Sequence, residues 1–482
     1  MFRSARSCFT TRAVAVGAAV TLLAGCAPGH RDRPDHPDHP DHPAHPDRPA
    51  AAGKPGATAT ADALDVQHYG LDLDYAVTTR RLTGTATIDL VARRDLSRVV
   101  LNLRGPQTLS VRVDGHEAGF RQGGGKLVIT PAVPLTAGVS AVAEIRYRGT
   151  MGTPKDANGT PYGWIATPDG AQVLSEPDGA PTWFPAHDVL TDKATYDFRV
   201  TVPRGRTAVA NGVPAGHHDH GGRTTWTWRA RDPMLSYLAT VGIGDYDLTR
   251  STGPQGIPII DAVDRHLTAT AAEDTRAALA EQQAVLRFLI GRWGPYPFSA
   301  AGAIVDDDRL GYALETQTRP VYATDVDDTT IVHELAHQWF GDSVNIGSWR
   351  DIWLNEGFAV YSEWLWEDQA YGEKYGATLD ASAADVLALP AGDPIWKVTL
   401  ADPTRAQLFD RAVYDRGALV LYELRKTIGD QDFWRLARTW AGQRTQTGVS
   451  TADFEELAGR ISGQDLTGFF RTWLHSAGKP SI

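Results

Sequence analysis

The chain has 482 residues but only two cysteines, Cys8 and Cys26, and three methionines. Cys8 falls inside a leader-like segment and Cys26 at its edge. The part left to fold therefore has no disulfide, no thiolate nucleophile and no sulfur metal ligand to offer. Cysteine proteases and Cys-rich zinc sites are excluded, and stability must come from core size. Positive charge is also short. Lys and Arg number 47 against 58 Asp and Glu, a net charge of -11, which argues against the basic face that nucleic-acid binding needs. The apolar run from Ala13 to Leu23 is too short to span a bilayer as a stable helix. No internal repeat is visible. With 42% hydrophobic and 22% charged residues, the composition is that of an ordinary globular protein. Its length allows two or three domains.

Arg3, Arg6 and Arg12 precede the apolar run, and Leu23-Ala24-Gly25-Cys26 follows it. Basic, apolar and small residues in that order describe a secretory signal over residues 1–25. Leu-Ala-Gly-Cys resembles the bacterial lipobox. That makes Cys26 the expected first mature residue, with a diacylglyceryl group on its sulfur, and places the protein on the extracytoplasmic face of a bacterial membrane. A plain secretory signal cleaved nearby is the alternative. Residues 26–61 read as a Pro/His/Asp-rich linker. Proline at every third position from Pro34 to Pro49 denies helix and sheet and favours an extended spacer. His36, His39, His42 and His45 in this tract are a weak metal signal.

From 62 to 250 the chain reads as a β domain. Leu71–Tyr75, Thr85–Leu90, Val99–Leu103 and Phe198–Val202 look like strands, with Gly and Pro turns between them. His217, His218 and His220, flanked by glycines, are expected at a solvated hairpin tip. From 251 to 482 the pattern is mixed and then mainly helical, with apolar stripes over Thr268–Trp293 and Phe454–Leu474. The run Asp306-Asp307-Asp308 lacks calcium-ligand spacing and reads as a solvated loop.

The segment Thr329–Gly341 carries the chemistry. Asp328 or Thr329 can cap a helix whose core side is Val332, Ala336, Trp339 and Phe340. His333 and His337 are four apart, so both imidazoles leave one face and can share a metal. Glu334 lies beside them, within reach of a metal-bound water. A catalytic zinc usually takes a third protein ligand. Glu356 falls on the apolar stripe of the next predicted helix, with Trp349, Ile352, Trp353 and Val360. A carboxylate there is costly without a positive partner, and a zinc ion provides one. The longer astacin-like motif needs Gly at 340 and His at 343, where this chain has Phe340 and Ser343.

His333-Glu334-x-x-His337-x18-Glu356 resembles the gluzincin metallopeptidases. The surrounding residues, Val332–Asp342 and Trp353–Ala359, resemble the M1 aminopeptidase family. The likeness runs from about Gln67 to the C-terminus and includes Tyr237–Gly242 and Gly294–Phe298. It implies an α+β multidomain fold: a β-sandwich-like (saddle) domain, then a thermolysin-like α/β catalytic domain with a helical C-terminal part. It also implies one Zn²⁺ on His333, His337 and Glu356, with Glu334 as general base and acid. Gly311–Thr316 is similar to the family's Gly-Ala-Met-Glu-Asn strand, making Glu315 the expected grip on a substrate's free α-amino group. The departures, Tyr312 for the first Gly and Thr316 for Asn, bear on the first side-chain pocket. Ser175-Glu176-Pro177 resembles the segment that adds a second acidic contact, with Leu174 where Gln is usual. Val413–Gly417 resembles Tyr-x-Lys-Gly with Arg416 for Lys, and makes Tyr414 the phenol that stabilises the oxyanion. Longer members carry a helical roof over the site. The chain ends at Ile482, so a more open cleft is expected.

These readings imply a zinc aminopeptidase acting on peptides with a free N-terminus. A thermolysin-like endopeptidase would share the zinc ligands without the ammonium grip. A catalytically dead peptide-binding lipoprotein is the rival from another class.

Overall fold

The computed structural model describes residues 63–156, 159–306, 311–324, 326–376, 378–443 and 448–481. The expected leader (1–25), Cys26 and the linker (26–61) lie outside the described residues, as do Asp307 and Asp308. No helix among the described residues is long and apolar enough to cross a membrane.

Period-two patterning becomes sheet. In the strand Leu64–Ala76, Leu71, Leu73 and Tyr75 are buried while Asp72 and Asp74 face solvent. The strand lies inside an eight-stranded sheet, antiparallel to Arg81–Ala92 and parallel to Ala194–Pro203, with Leu71 opposite both Ala86 and Phe198. Smaller three- and four-stranded sheets pack over its inner face around Trp183, Ile88, Ile145 and Phe198. The histidine cluster lies in the edge strand Val213–His220 rather than at the tip, which is Gly221–Gly222.

A second four-stranded sheet links the two halves. It is built from Tyr246–Thr252, Pro258–Asp264, Ala301–Val305 and Val321–Tyr322, the last three parallel to one another. Both faces of its two middle strands are covered. Ile260, Ala262 and Ile304 join the N-terminal core, and Ile259, Val263 and Ala303 join the C-terminal one. A domain boundary at 250 would cut the first strand of this sheet, because Tyr246 already pairs with Asp264.

The C-terminal part is helical: α1 (Ala269–Ala280), α2 (Gln282–Trp293), α3 (Asp328–Ala336), α4 (Trp353–Tyr375), α5 (Leu379–Ala388), α6 (Gly417–Ile428), α7 (Asp430–Ala441), α8 (Thr451–Ser462) and α9 (Thr467–Trp473). Each long stripe expected from the sequence is two helices, the first broken at Glu281 and the second after Ser462. Helix α4 runs through the middle of this core against α3, α6 and α8. Lys193, from the β domain, donates to the carbonyls of Asp342 (2.7 Å) and Ser343 (2.9 Å), and the Tyr237 ring lies 5.4 Å from Trp349. These contacts fix the β domain against the loop that follows α3.

Candidate metal centre and cleft

Helix α3 begins one residue earlier than expected. The Asp327 carboxylate accepts the Thr330 N–H at 2.8 Å, so it is the cap. Asp328 instead accepts the Trp366 Nε1–H (2.9 Å) and the Tyr371 hydroxyl, tying α3 to α4. Ile331, Val332, Leu335 and Ala336 are buried, which leaves His333 and His337 on the opposite side, facing α4. The regular helix stops at His337. Gly341, at φ +129°, turns the chain so that the Phe340 carbonyl accepts the His337 Nδ1–H at 3.0 Å.

Opposite these imidazoles, α4 presents Glu356, 3% exposed. The His333 and His337 Nε2 atoms are 3.1 Å apart, and each is 3.3 Å from Glu356 Oε2. Two turns along α4, Glu363 accepts the His333 Nδ1–H. Both imidazoles thus spend Nδ1 on an oxygen and point Nε2 at one spot, the arrangement that fixes a metal-binding tautomer. Without an ion the two imidazoles hold protons and Glu356 is ionised. Burial pushes the imidazoles down, but Glu356 outweighs it and raises His337 to about 9; Glu356 and Glu363 likewise raise His333. Burial pushes Glu356 up, yet the two imidazoles hold it at about 2.

The cleft beside this trio is crowded with acid. Burial pushes Glu334 up to about 8 against the pull of both histidines, and its Oε2 is buried with no hydrogen-bond partner among the described residues. Glu315 Oε1 and Glu176 Oε1 are in the same condition. Burial raises Glu176 well above the carboxylate range, and Glu315, Glu356 and Glu334 add to the shift, so these carboxylates share one field. Glu315 is raised chiefly by burial. It is positioned from the turn after α3: the Gln338 side chain donates to the Glu315 carbonyl (3.0 Å) and accepts the Thr318 N–H (2.7 Å). Asp342, fully buried, joins the cluster and is raised by burial and by Glu315. Tyr312 reaches the β domain, its hydroxyl donating to the Pro161 carbonyl at 2.7 Å.

Tyr414 stands across from the histidines, its ring 6.1 Å from His333 at 20°. It sits in a π-helical turn, Ala412–Arg416, of the kind found where a side chain is aimed at a site. The turn is held by Arg416, wholly buried, which donates to the carbonyls of Ile395, Val398 and Trp473 and stacks on Trp396. Burial and the carboxylates raise the Tyr414 hydroxyl well above its usual range, so it remains a donor. The structure thus gathers His333, Glu334, His337, Glu356, Glu315, Glu176 and Tyr414 into one largely buried cluster. Glu363, Gln338 and Asp342 are additions that sequence reading missed. Glu363 alone left a trace there, lying seven residues, or two turns, beyond Glu356.

Two histidines one turn apart and a carboxylate from the next helix are the ligand set of the zinc metallopeptidases. Ligand distances of about 2.0–2.2 Å put tetrahedral donors about 3.4 Å apart. The separations of 3.1 and 3.3 Å fit that spacing. Residues 65–238 match the Peptidase M1 N-terminal domain and 312–473 the Peptidase family M1 domain. The M1 zinc metallopeptidase from Deinococcus radiodurans is 31% identical over 87% of this chain and 95% of its own, with a TM-score of 0.78. A glutamate-to-alanine mutant of it, bound to a Tyr-Ser-Ala substrate, gives 31% identity, the same coverage and 0.77. Aminopeptidase N of Streptomyces lividans is 26% identical over 88% of this chain and 51% of its own. Glutamyl aminopeptidase of Sus scrofa is 24% identical over 87% and 48%. The chain belongs to the M1 family of zinc peptidases, and spans about half the length of these curated relatives.

Proposed function

We propose that the protein is a zinc aminopeptidase that removes the N-terminal residue of peptides. The observation that carries this reading is the pair of buried oxygens on Glu315 and Glu176, without hydrogen-bond partners, beside the histidine trio. Buried carboxylates left unpaired are costly, and a substrate's free ammonium group is the cation that would pair with them. An anchored ammonium fixes how far the chain can enter, and so sets the cut after the first residue.

His333, His337 and Glu356 would hold the zinc ion. Bound there, it supplies Lewis acidity, polarising the carbonyl and bringing a water's pKa towards neutrality. Glu334, through its unpartnered Oε2, takes the proton of the attacking water and returns it to the departing amine. Tyr414 donates its hydroxyl to the developing oxyanion, an interaction realised mainly in the transition state. The family likeness supports these roles, as does the aminopeptidase activity named for the curated relatives.

Paired substrates test it. A free peptide and its N-acetylated twin are assayed with and without chelator. Chelator-sensitive cleavage of the free peptide alone is expected, and equal cleavage of both would replace this reading with an endopeptidase. We further propose, from Arg3 to Cys26, that the chain is exported and lipid-anchored. Membrane-fraction labelling by a palmitate analogue, lost in Cys26→Ala, is the expected result.

A further inference from the structure

Away from the cleft, a second group of ligand-type side chains meets at the seam between the β domain and the linking sheet. Asp169 lies in the turn between the strands Gly163–Ala166 and Ala171–Leu174, Asp264 ends the strand Pro258–Asp264, and His266 follows two residues later. One ligand atom from each lies within 4.8 Å of the others. His266 Nδ1 is 2.9 Å from Asp264 Oδ1 and 3.9 Å from Asp169 Oδ2.

Charge accounting around the cluster leaves Asp264 with His266 as its partner at Oδ1, through the backbone N–H (2.5 Å) and Nδ1 (2.9 Å), and with Oδ2 idle. Arg265 pairs with Asp245 at 3.1 Å, and Arg206 with Asp169 Oδ2 at 3.3 Å. The Asp245 N–H also bonds Asp169 Oδ2, at 2.8 Å. That oxygen is served, while Asp169 Oδ1 has a single long contact among the described residues, 3.4 Å from the Thr167 hydroxyl. Asp264 has no arginine among the ion pairs of the described residues. Its side chain is 0% exposed, and its Oδ2 is buried with no hydrogen-bond partner among the described residues. A wholly buried carboxylate with an idle oxygen, beside an imidazole and a second carboxylate with spare capacity, is short of a cation.

We propose that Asp169, Asp264 and His266 bind a second divalent metal ion of the zinc class, distinct from the catalytic one. An Asp/Asp/His set is borderline in softness and suits zinc or a similar transition ion better than calcium, which prefers six or more oxygens. His266 is half exposed, so the ion has an open path and a coordination position left for water. The metal joins the turn bearing Asp169 to the linking sheet. From that turn the strand Ala171–Leu174 runs directly into Ser175 and Glu176, so the ion braces the base of the segment that carries Glu176.

The test uses the full chain stripped of metal and titrated with Zn²⁺, beside His266→Ala and Asp169→Asn. Bound zinc is counted after gel filtration and thermal unfolding is followed at each equivalent. Neither variant touches the cleft, and His266 is exposed enough that its loss leaves folding intact. Zinc held by the histidine-rich N-terminal tract is common to all three chains and cancels. The wild type should retain one equivalent more than either variant, and that equivalent should raise Tm in the wild type alone. Equal zinc counts in the wild type and His266→Ala would overturn the proposal. So would a count lowered by His266→Ala but not by Asp169→Asn.

Discussion

Gly357 and Gly417 meet backbone to backbone: a Cβ built on Gly357 would stand 2.7 Å from the Gly417 carbonyl carbon. No side chain fits between them, so α4 and the start of α6 approach as closely as two helices can. Glu356 is the residue before one glycine and Tyr414 lies three before the other. The glycine pair therefore sets the gap between the third metal ligand and the phenol opposite. Gly357→Ala should cost about 1–3 kcal/mol through overpacking. It should also lower kcat while zinc content holds, because Tyr414 moves back. Denaturant unfolding and kcat on one preparation check both parts.

Glu334 is the only acid of the trio's immediate neighbourhood assigned to proton transfer rather than to a cation. Glu334→Gln keeps its shape and removes its basicity. Zinc stoichiometry should be unchanged and kcat should fall by a factor of about 10² to 10⁴. A variant with near-normal turnover would remove Glu334 from the mechanism.

Glu363 touches no substrate in this scheme. It holds the His333 ring by its Nδ1–H. Glu363→Gln should weaken zinc binding by about 10- to 100-fold, the usual effect of losing such a partner. With zinc in excess, kcat should recover. Competition with a chromogenic chelator measures the first effect and zinc rescue the second.

Zinc affinity should depend steeply on pH, and the sign follows from the free site. His337 holds its proton up to about 9 and His333 is raised as well, while Glu356 is ionised above about 2. At neutral pH the metal must displace a proton from each imidazole. Affinity should therefore rise as pH rises, by about two log units per pH unit below the imidazole pKa values. Calorimetry in buffers of different ionisation enthalpy should report close to two protons released. A flat affinity from pH 6 to 8 would show that the imidazoles are already neutral.

The ligand triad was legible in the sequence because helical period alone brings His333 and His337 together and sets Glu356 on an apolar stripe. The strands were legible for the same reason, as Leu71, Leu73 and Tyr75 alternate with acids. What stayed hidden depends on long-range packing. No local pattern says that Gly357 will face Gly417, or that Arg416 will collect three carbonyls from two distant segments. Short-range competition also escaped notice. Asp327, Asp328 and Thr329 can all cap a helix, and Asp327 does so because Asp328 is engaged by Trp366 and Tyr371. The strand that spans position 250, Tyr246–Thr252, has an exposed polar end from Thr249 to Thr252, so it reads as one more strand of the β domain before it.

Glu176, Glu315, Glu334 and Asp342 are all raised by burial, so this acid keeps protons that exposed carboxylates would lose. A peptide's positive end favours the ionised form, so seating it should drive protons out of the site. Binding of short peptides should then weaken as pH falls, and each arrival should acidify a weakly buffered solution.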